Sequence, residues 1–272
     1  MVGKLIKYDF MSFFRLLLPV QLIIIGIAVI NRIVQFFEGD GSVVYSIAFT
    51  SSIVLLCVAC VVALVMCVVI AIVRFYQGLF SSEGYLSQTL PVTVTQHIWS
   101  KLLVSMIFEI GTLFAIFIAC NVATIGDVNA EVYKAIGYML KEASVQVHGH
   151  LILYILEGVV LCLLTNAVMY LMFYFCISIG QLVNRKRILL AFGVFFGLYM
   201  LGQIVMTIFI IIGVSNPGLW ESFVKPITEW ARQNPIGAFH VFFCSCIAID
   251  AVFGLVFFLV SRVIMKRRLN LI

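Results

Sequence analysis

The sequence predicts an all-α, polytopic membrane protein with about six transmembrane helices. Of its 272 residues, 64% are hydrophobic and 11% are charged, whereas soluble domains carry about 25% charged residues. No charged residue occurs over residues 41–73 or 188–220. Each run is longer than the roughly 20 apolar residues that cross a bilayer as a helix, and neither has the polar face that a soluble core helix needs.

The spans follow from the apolar runs in chain order. They are predicted over residues 13–34, 43–73, 98–125, 151–180, 188–214 and 239–265. The second is longer than a bilayer requires, so we expect it to tilt or to project beyond the membrane. Residues 1–15 place apolar side chains on one helical face and Lys4, Lys7 and Arg15 on another. This pattern predicts an N-terminal helix that lies in the membrane interface.

The placement of lysine and arginine predicts the orientation. An even number of spans puts both termini on one side, and that side holds most of the 17 basic residues. The other side holds only Arg32, Lys134, Lys141, Lys225 and Arg232. Because basic residues accumulate in cytoplasmic loops, we expect both termini in the cytoplasm of a cell-membrane protein. The sharpest single marker is the cluster of Arg185, Lys186 and Arg187, in a predicted cytosolic turn.

Two segments are predicted to be extracellular loops long enough to fold, residues 126–150 and residues 215–237. The first contains a short helix around residues 129–142. The second carries Trp220 and Trp230, and tryptophan prefers the bilayer interface. The sequence leaves open whether this second segment re-enters the membrane or lies on it.

Three acidic residues fall within the predicted spans. Glu109, Glu157 and Asp250 are the acids, and ionisable groups inside a membrane are costly and mark candidate functional positions. Arg32 lies near the outer end of the first span at the depth of Glu157, which predicts a structural pair. Asp250 fits a cavity or dimer seam, or equally a locally hydrated position.

The fifth span also contains the small-residue pair Gly193 and Gly197. This spacing lets helix backbones approach closely. The contact it favours is either within one chain or between two chains.

Catalytic and metal motifs are missing from the sequence. It contains no phosphate-binding G-x-x-x-x-G-K-[ST] loop, no H-E-x-x-H and no G-x-S-x-G. Cys57 and Cys60 form a C-x-x-C in mid-span without a nearby histidine or acid, and His148 and His150 have no third ligand in sequence. We therefore expect no enzyme activity, no catalytic residues, no metal and no bound cofactor in this chain.

The polar stretch at residues 74–100 is the most patterned part of the chain. Residues 75–80 continue the second span as a helix, and residues 81–84 form a turn. Residues 85–90 fit a short amphipathic helix that Pro91 ends. Thr93 and Gln96 then match a capping box that opens the third span. A short helix on the cytosolic side between the second and third spans either docks a partner protein or only joins the two spans.

This loop resembles that of bacterial ABC transporter permeases of the six-span exporter type. In those proteins an acidic-Gly-Tyr-Leu turn precedes Thr-Leu-Pro between the second and third spans. The matching residues here are Glu83, Gly84, Tyr85, Leu86, Thr89, Leu90 and Pro91. The six spans, the N-terminal helix and the basic tail at residues 266–271 also match. The resemblance covers residues 1–272 as a single permease domain.

The resemblance implies an ATP-driven exporter subunit that has no ATPase of its own. Such permeases dimerise in the bilayer and recruit separate cytosolic ATPase subunits, which carry ATP and Mg²⁺. Residues 74–100 would be the coupling loop, and the turn at Arg185, Lys186 and Arg187 would be a second, smaller contact. Residues 215–237 would be the counterpart of outer gating segments. The resemblance implies no nucleic-acid partner and does not name the substrate.

Two other classes of function stay open. One is a non-transporting membrane scaffold or sensor partner. The other is an intramembrane enzyme, against which the lack of clustered acids with histidine or arginine on one span argues.

Overall fold

The computed structural model describes residues 2–37, 43–80, 92–147, 149–183 and 185–267, and it is all-helical over these ranges. Eight helices follow one another there, namely α1 (Val2–Gln35), α2 (Val43–Phe80), α3 (Val94–Ala123), α4 (Asp127–Gln146), α5 (Leu151–Gly180), α6 (Arg187–Ser215), α7 (Pro217–Gln233) and α8 (Pro235–Arg267).

Six of these helices are long and apolar enough to cross a membrane. They are α1, α2, α3, α5, α6 and α8. The predicted all-α class with about six spans is therefore confirmed, and the fold indicates a multi-pass membrane protein.

The helix ends refine the sequence prediction. Residues 2–15 are helical as predicted, but they continue without a break into the first span, through Pro19. The second helix has 38 residues, which is about 57 Å at 1.5 Å per residue, against a hydrocarbon core of about 30 Å. Its last turns include residues 75–80, as the sequence predicts. The short helix expected near residues 129–142 runs from Asp127 to Gln146.

The chain, predicted as a single domain, divides into two compact units, Met1–Glu142 and Ala143–Ile272. In the first, α1, α2 and α3 pack against one another. Their shared core contains the fully buried Ala28, Ala63 and Ala119 beside Ile24 and Leu56. Small residues at these contacts let the three backbones approach closely.

In the second unit, α5 packs against both α6 and α8, and α7 contacts α6 and α8. Tyr170 and Tyr174 are fully buried on α5. No residue of α6 is fully buried among the described residues, so much of its surface stays exposed within the unit.

Candidate functional site

A buried lysine near the start of α3 joins that helix to α1 by an ion pair and to α2 by a hydrogen bond. Lys101 Nζ on α3 lies 3.3 Å from Asp9 Oδ1 on α1 and donates to the carbonyl oxygen of Arg74 on α2 at 3.4 Å. Ser100 Oγ donates to the second carboxylate oxygen of Asp9 at 2.7 Å. We call Asp9, Arg74, Ser100 and Lys101 the clasp. It connects three helices at one end of the first unit.

The clasp depends on where α3 begins. The Thr93 side chain accepts a hydrogen bond from the Gln96 N–H, and the Gln96 side chain accepts one from the Thr93 N–H. This capping box satisfies two N–H groups that the first turn would leave unpaired. It starts α3 at Val94 and places Ser100 and Lys101 in the second turn. The predicted capping box is confirmed.

The last turns of α2 leave space for the side chain of Lys101. Phe75, Leu79 and Phe80 are buried there, which fixes the last turns of the helix against its neighbours. A Cβ added to Gly78 would lie 2.5 Å from Lys101 Nζ. Glycine at position 78 therefore leaves the space that the ammonium group occupies.

Because the ion pair of the clasp is buried, it fixes the positions of the helices that it joins. The side chains of Lys101 and Asp9 are only 7% and 17% exposed. Both oxygens of Asp9 accept a donor, so the charge is compensated where water is scarce. Removing one partner of such a pair strands the other charge and costs about 3–5 kcal/mol. The arrangement fixes helix positions and contains no activated nucleophile.

The contact between α1 and α3 continues away from the clasp. Phe108 packs against Phe10 and Phe13, with ring centroids 4.8 and 5.6 Å apart. Gln21 Nε2 then donates to Thr112 Oγ1 at 3.2 Å. The first and third helices are thus joined by aromatic and polar contacts over several turns.

A second polar network closes the opposite end of the same unit. Gln35 Nε2 donates to Asn31 Oδ1 at 2.8 Å and to the Ala123 carbonyl at 2.7 Å. Asn31 Nδ2 donates to Ser52 Oγ at 2.8 Å. Both ends of the three-helix unit are therefore held by hydrogen bonds between helices.

The predicted docking residues lie between the two halves of the clasp in sequence. Glu83, Gly84, Tyr85, Leu86, Thr89, Leu90 and Pro91 lie outside the described residues. Their assignment to a coupling element stays a prediction. The structure describes the end of α2 before this segment and the start of α3 after it.

The predicted second contact is the turn between α5 and α6. Arg185 and Lys186 are exposed, and Arg187 is half-buried at the start of α6. Lys186 has φ 59° and ψ 40°, in the left-handed region. A Cβ on Gly180 would lie 2.7 Å from the Arg187 carbonyl oxygen, so glycine permits this tight junction. Two basic side chains consequently project from the turn.

The intramembrane candidates have separate surroundings. Glu109 is half-buried on α3. Arg32 Nη1 donates to Gln35 Oε1 at 2.8 Å, and its guanidinium lies 5.1 Å from the Phe36 ring centroid. Glu157 Oε1 lies 2.7 Å from His240 Nδ1. The predicted pairing of Arg32 with Glu157 stays a prediction, since each belongs to a different unit and has a partner within its own.

Asp250 contacts a neighbouring helix of the second unit. Its Oδ2 accepts a hydrogen bond from Thr165 Oγ1 on α5. Gly193 and Gly197 on α6, by contrast, contact no neighbouring helix that the structure describes. No described atom lies within 4 Å of a Cβ built on either glycine. The described residues therefore provide no packing partner for this pair.

Sequence reasoning missed Asp9. Its signal is its position on the apolar face of the N-terminal helix, in register with Ile6 and Phe13 at spacings of three and four residues. An acid on that face needs a cation from another helix. Lys101 provides it, 92 residues later in the chain.

Comparison with known protein families, curated proteins and solved structures gave no match to this chain. Among the residues that the structure describes, no group of three or more His, Cys, Asp and Glu side chains is arranged to hold a metal ion.

Proposed function

We propose that this chain is the transmembrane permease subunit of an ATP-driven ABC exporter. It works with a separate cytosolic ATPase subunit and a second permease subunit. The observation that carries the proposal is the clasp, because it joins α1, α2 and α3 immediately beside the loop that resembles a coupling element.

The clasp supplies the mechanical part of the mechanism. A force on residues 81–91 acts on the end of α2 and the start of α3 at once, because the loop joins them. Lys101 passes it to α1 through Asp9, at 3.3 Å. Since stranding either charge costs about 3–5 kcal/mol, the three helix ends move together. ATP and Mg²⁺ bind to the ATPase, whose closure provides the force.

Charge placement supports the proposed location in the cytoplasmic membrane, with both termini in the cytosol. The turn at Arg185 and Lys186 then faces the cytosol, as residues 81–91 do. Its exposed cations suit an acidic surface of the ATPase. This turn forms the smaller of the two contacts.

The largely exposed surface of α6 supports pairing with a second permease. None of its described residues is buried within the unit, and Gly193 and Gly197 leave open space along it. Close helix packing at such a small-residue pair is common in membranes. The translocation path lies between the two permease subunits.

The test starts from the complex in its native membrane. The chain is purified in mild detergent with its bound proteins, and Mg²⁺-dependent ATP hydrolysis is measured. We expect an ATPase to co-purify, and Glu83→Ala and Tyr85→Ala to lower the hydrolysis per mole of chain. Glu131→Ala and Tyr138→Ala, two exposed positions on α4, are matched controls that leave it unchanged.

Two results would contradict the proposal. One is purification without an ATPase. The other is equal hydrolysis in loop and control variants. A scaffold protein would retain a partner without ATP hydrolysis that depends on Glu83 and Tyr85.

A further inference from the structure

An acid and two histidines form a hydrogen-bonded chain at one end of the second unit. Glu157 Oε1 lies 2.7 Å from His240 Nδ1, and His240 Nε2 lies 3.4 Å from His150 Nδ1. His150 is the N-cap residue of α5, Glu157 lies in the second turn of that helix, and His240 lies in the second turn of α8. His240 is 90 residues from His150 and 83 residues from Glu157 in sequence.

Tyr154 holds the central imidazole in place. Its ring stacks on His240 with centroids 4.5 Å apart, and its hydroxyl donates to the Ile236 carbonyl at 2.8 Å. Ring stacking on one side and two hydrogen bonds in the ring plane restrict how His240 turns. The imidazole is therefore fixed between its two partners.

One oxygen of the acid is left without a partner. Glu157 Oε2 is buried and has no hydrogen-bond partner among the described residues. A buried carboxylate oxygen without a donor is costly as part of an anion. A proton is the smallest ligand that removes this cost, and the neighbouring imidazole is positioned to deliver one.

From this geometry we infer that Glu157, His240 and His150 form a proton-binding site, in which the two histidines pass a proton to the glutamate. A proton that reaches Nε2 of His150 releases the Nδ1 proton of the same ring to Nε2 of His240. His240 then transfers its own Nδ1 proton to Oε1 of Glu157. Each imidazole ends neutral with its tautomer reversed, and the carboxylate gains one proton.

The described residues place few other charges beside this site. The described titratable groups in contact with His240 are Tyr154 and Glu157 on α5 and His150, the N-cap residue of that helix. The charged residues of the adjacent α7 are exposed, and Lys225 pairs with Glu221 at 3.5 Å. On α6, Arg187 lies beside Gly180, at the opposite end of α5, and Tyr199 is exposed.

The inference is independent of ATP-driven transport and is tested on the purified chain in lipid nanodiscs. A rapid drop from about pH 8 to about pH 5, the range in which histidine changes charge, is followed by time-resolved infrared spectroscopy. We expect a protonated-carboxyl band that Glu157→Gln removes. We expect His240→Gln and His150→Gln to slow its appearance by about a hundredfold, the contribution of a positioned proton-transfer group.

Two controls remove groups outside the hydrogen-bonded chain. Tyr138→Phe removes the hydroxyl of an exposed ring on α4, and Glu229→Gln removes an exposed acid on α7. Both are expected to leave the rate and the band unchanged. His150→Gln is the decisive variant if His240→Gln does not fold, because it leaves the contact between His240 and Glu157 intact. A spectrum without a band from Glu157, or an unchanged rate in His150→Gln, would overturn the inference.

Discussion

At the scale of single residues, the informative positions are polar side chains whose partners lie far away in sequence. Asp9 receives Lys101, and Glu157 receives His240. Each contact joins two helices that apolar packing alone would leave free to slide, because lipid is as apolar as a leucine side chain. Such pairs therefore set helix register in a chain of this composition.

The clasp predicts a large stability difference between two lysine substitutions. Lys101→Met leaves the Asp9 carboxylate buried without its cation, so we expect a loss of about 3 kcal/mol in unfolding free energy. Lys225→Met is the matched control, since both partners of its pair are 63% exposed and exposed pairs contribute less than about 1 kcal/mol. Chemical unfolding in detergent measures both.

The double substitution sharpens this prediction. Asp9→Asn with Lys101→Met removes both charges, so it should recover most of the stability lost in Lys101→Met. A double variant as unstable as the single one would mean that packing, and not charge, holds the three helix ends.

Gly180 gives a second prediction at this scale. A Cβ there meets the backbone oxygen of Arg187 at 2.7 Å, whereas a Cβ on Gly202 meets nothing within 4 Å. Gly180→Ala should therefore lower the unfolding free energy by about 1–3 kcal/mol, as overpacking does. Gly202→Ala should not lower it, and thermal unfolding of the two variants checks this. Equal effects would contradict the tight junction between α5 and α6.

Some residue contacts are predictable from the sequence and others are not. The capping box of Thr93 and Gln96 was predicted because its two members lie within one turn of each other. The contact between Asp9 and Lys101 was not, because only the packing of α1 on α3 brings them together. The same applies to Glu157 and His240, because the predicted depth of a residue in the membrane does not identify its partner on another helix.

At the scale of elements, uncharged length predicts the spans well and their ends less well. Runs without charge allow only a helix in a bilayer, since a helix satisfies its own backbone. Nothing in residues 2–35 stops the first helix, because membrane helices accommodate a proline such as Pro19. The interfacial segment and the first span consequently form one helix.

The helix α7 is the element whose membrane position is most open to test. Phe223, Ile227 and Trp230 share one face and are exposed, while Glu221 and Lys225 lie on the opposite face. An apolar face and a charged face suit a helix lying in the interface plane. We therefore expect residues 217–233 to lie on the membrane and not to re-enter it.

Tryptophan quenching measures this depth. With Trp99 and Trp220 replaced by phenylalanine, Trp230 should be quenched most by lipids brominated near the headgroup. A variant whose single tryptophan replaces Leu201, halfway along α6, should be quenched most by lipids brominated deep in the chains. Deep quenching of Trp230 would support a re-entrant segment instead.

At the scale of the whole molecule, the distribution of charge predicts the orientation. The exposed turn at Arg185 and the exposed helix α4 lie on opposite sides in the proposed topology. This assignment rests on the positive-inside rule, and it decides whether residues 81–91 face an ATPase at all.

Cysteine labelling checks the orientation. In a variant whose eight native cysteines are replaced by alanine, Arg185→Cys should react with a membrane-impermeant maleimide only in inside-out vesicles. Glu131→Cys, on α4, should react only in right-side-out vesicles. The reverse pattern would place the loop outside the cell and exclude the proposed coupling.

The central claim is that residues 81–91 dock an ATPase, and site-specific photo-crosslinking tests it most directly. A photoreactive amino acid replaces Tyr85 in the intact complex, and the same group at Tyr138, exposed on α4, is the control. The account predicts a crosslink from position 85 to an ATP-hydrolysing protein and none from position 138. A crosslink from position 85 to lipid or to a second copy of this chain, without an ATPase, would contradict it.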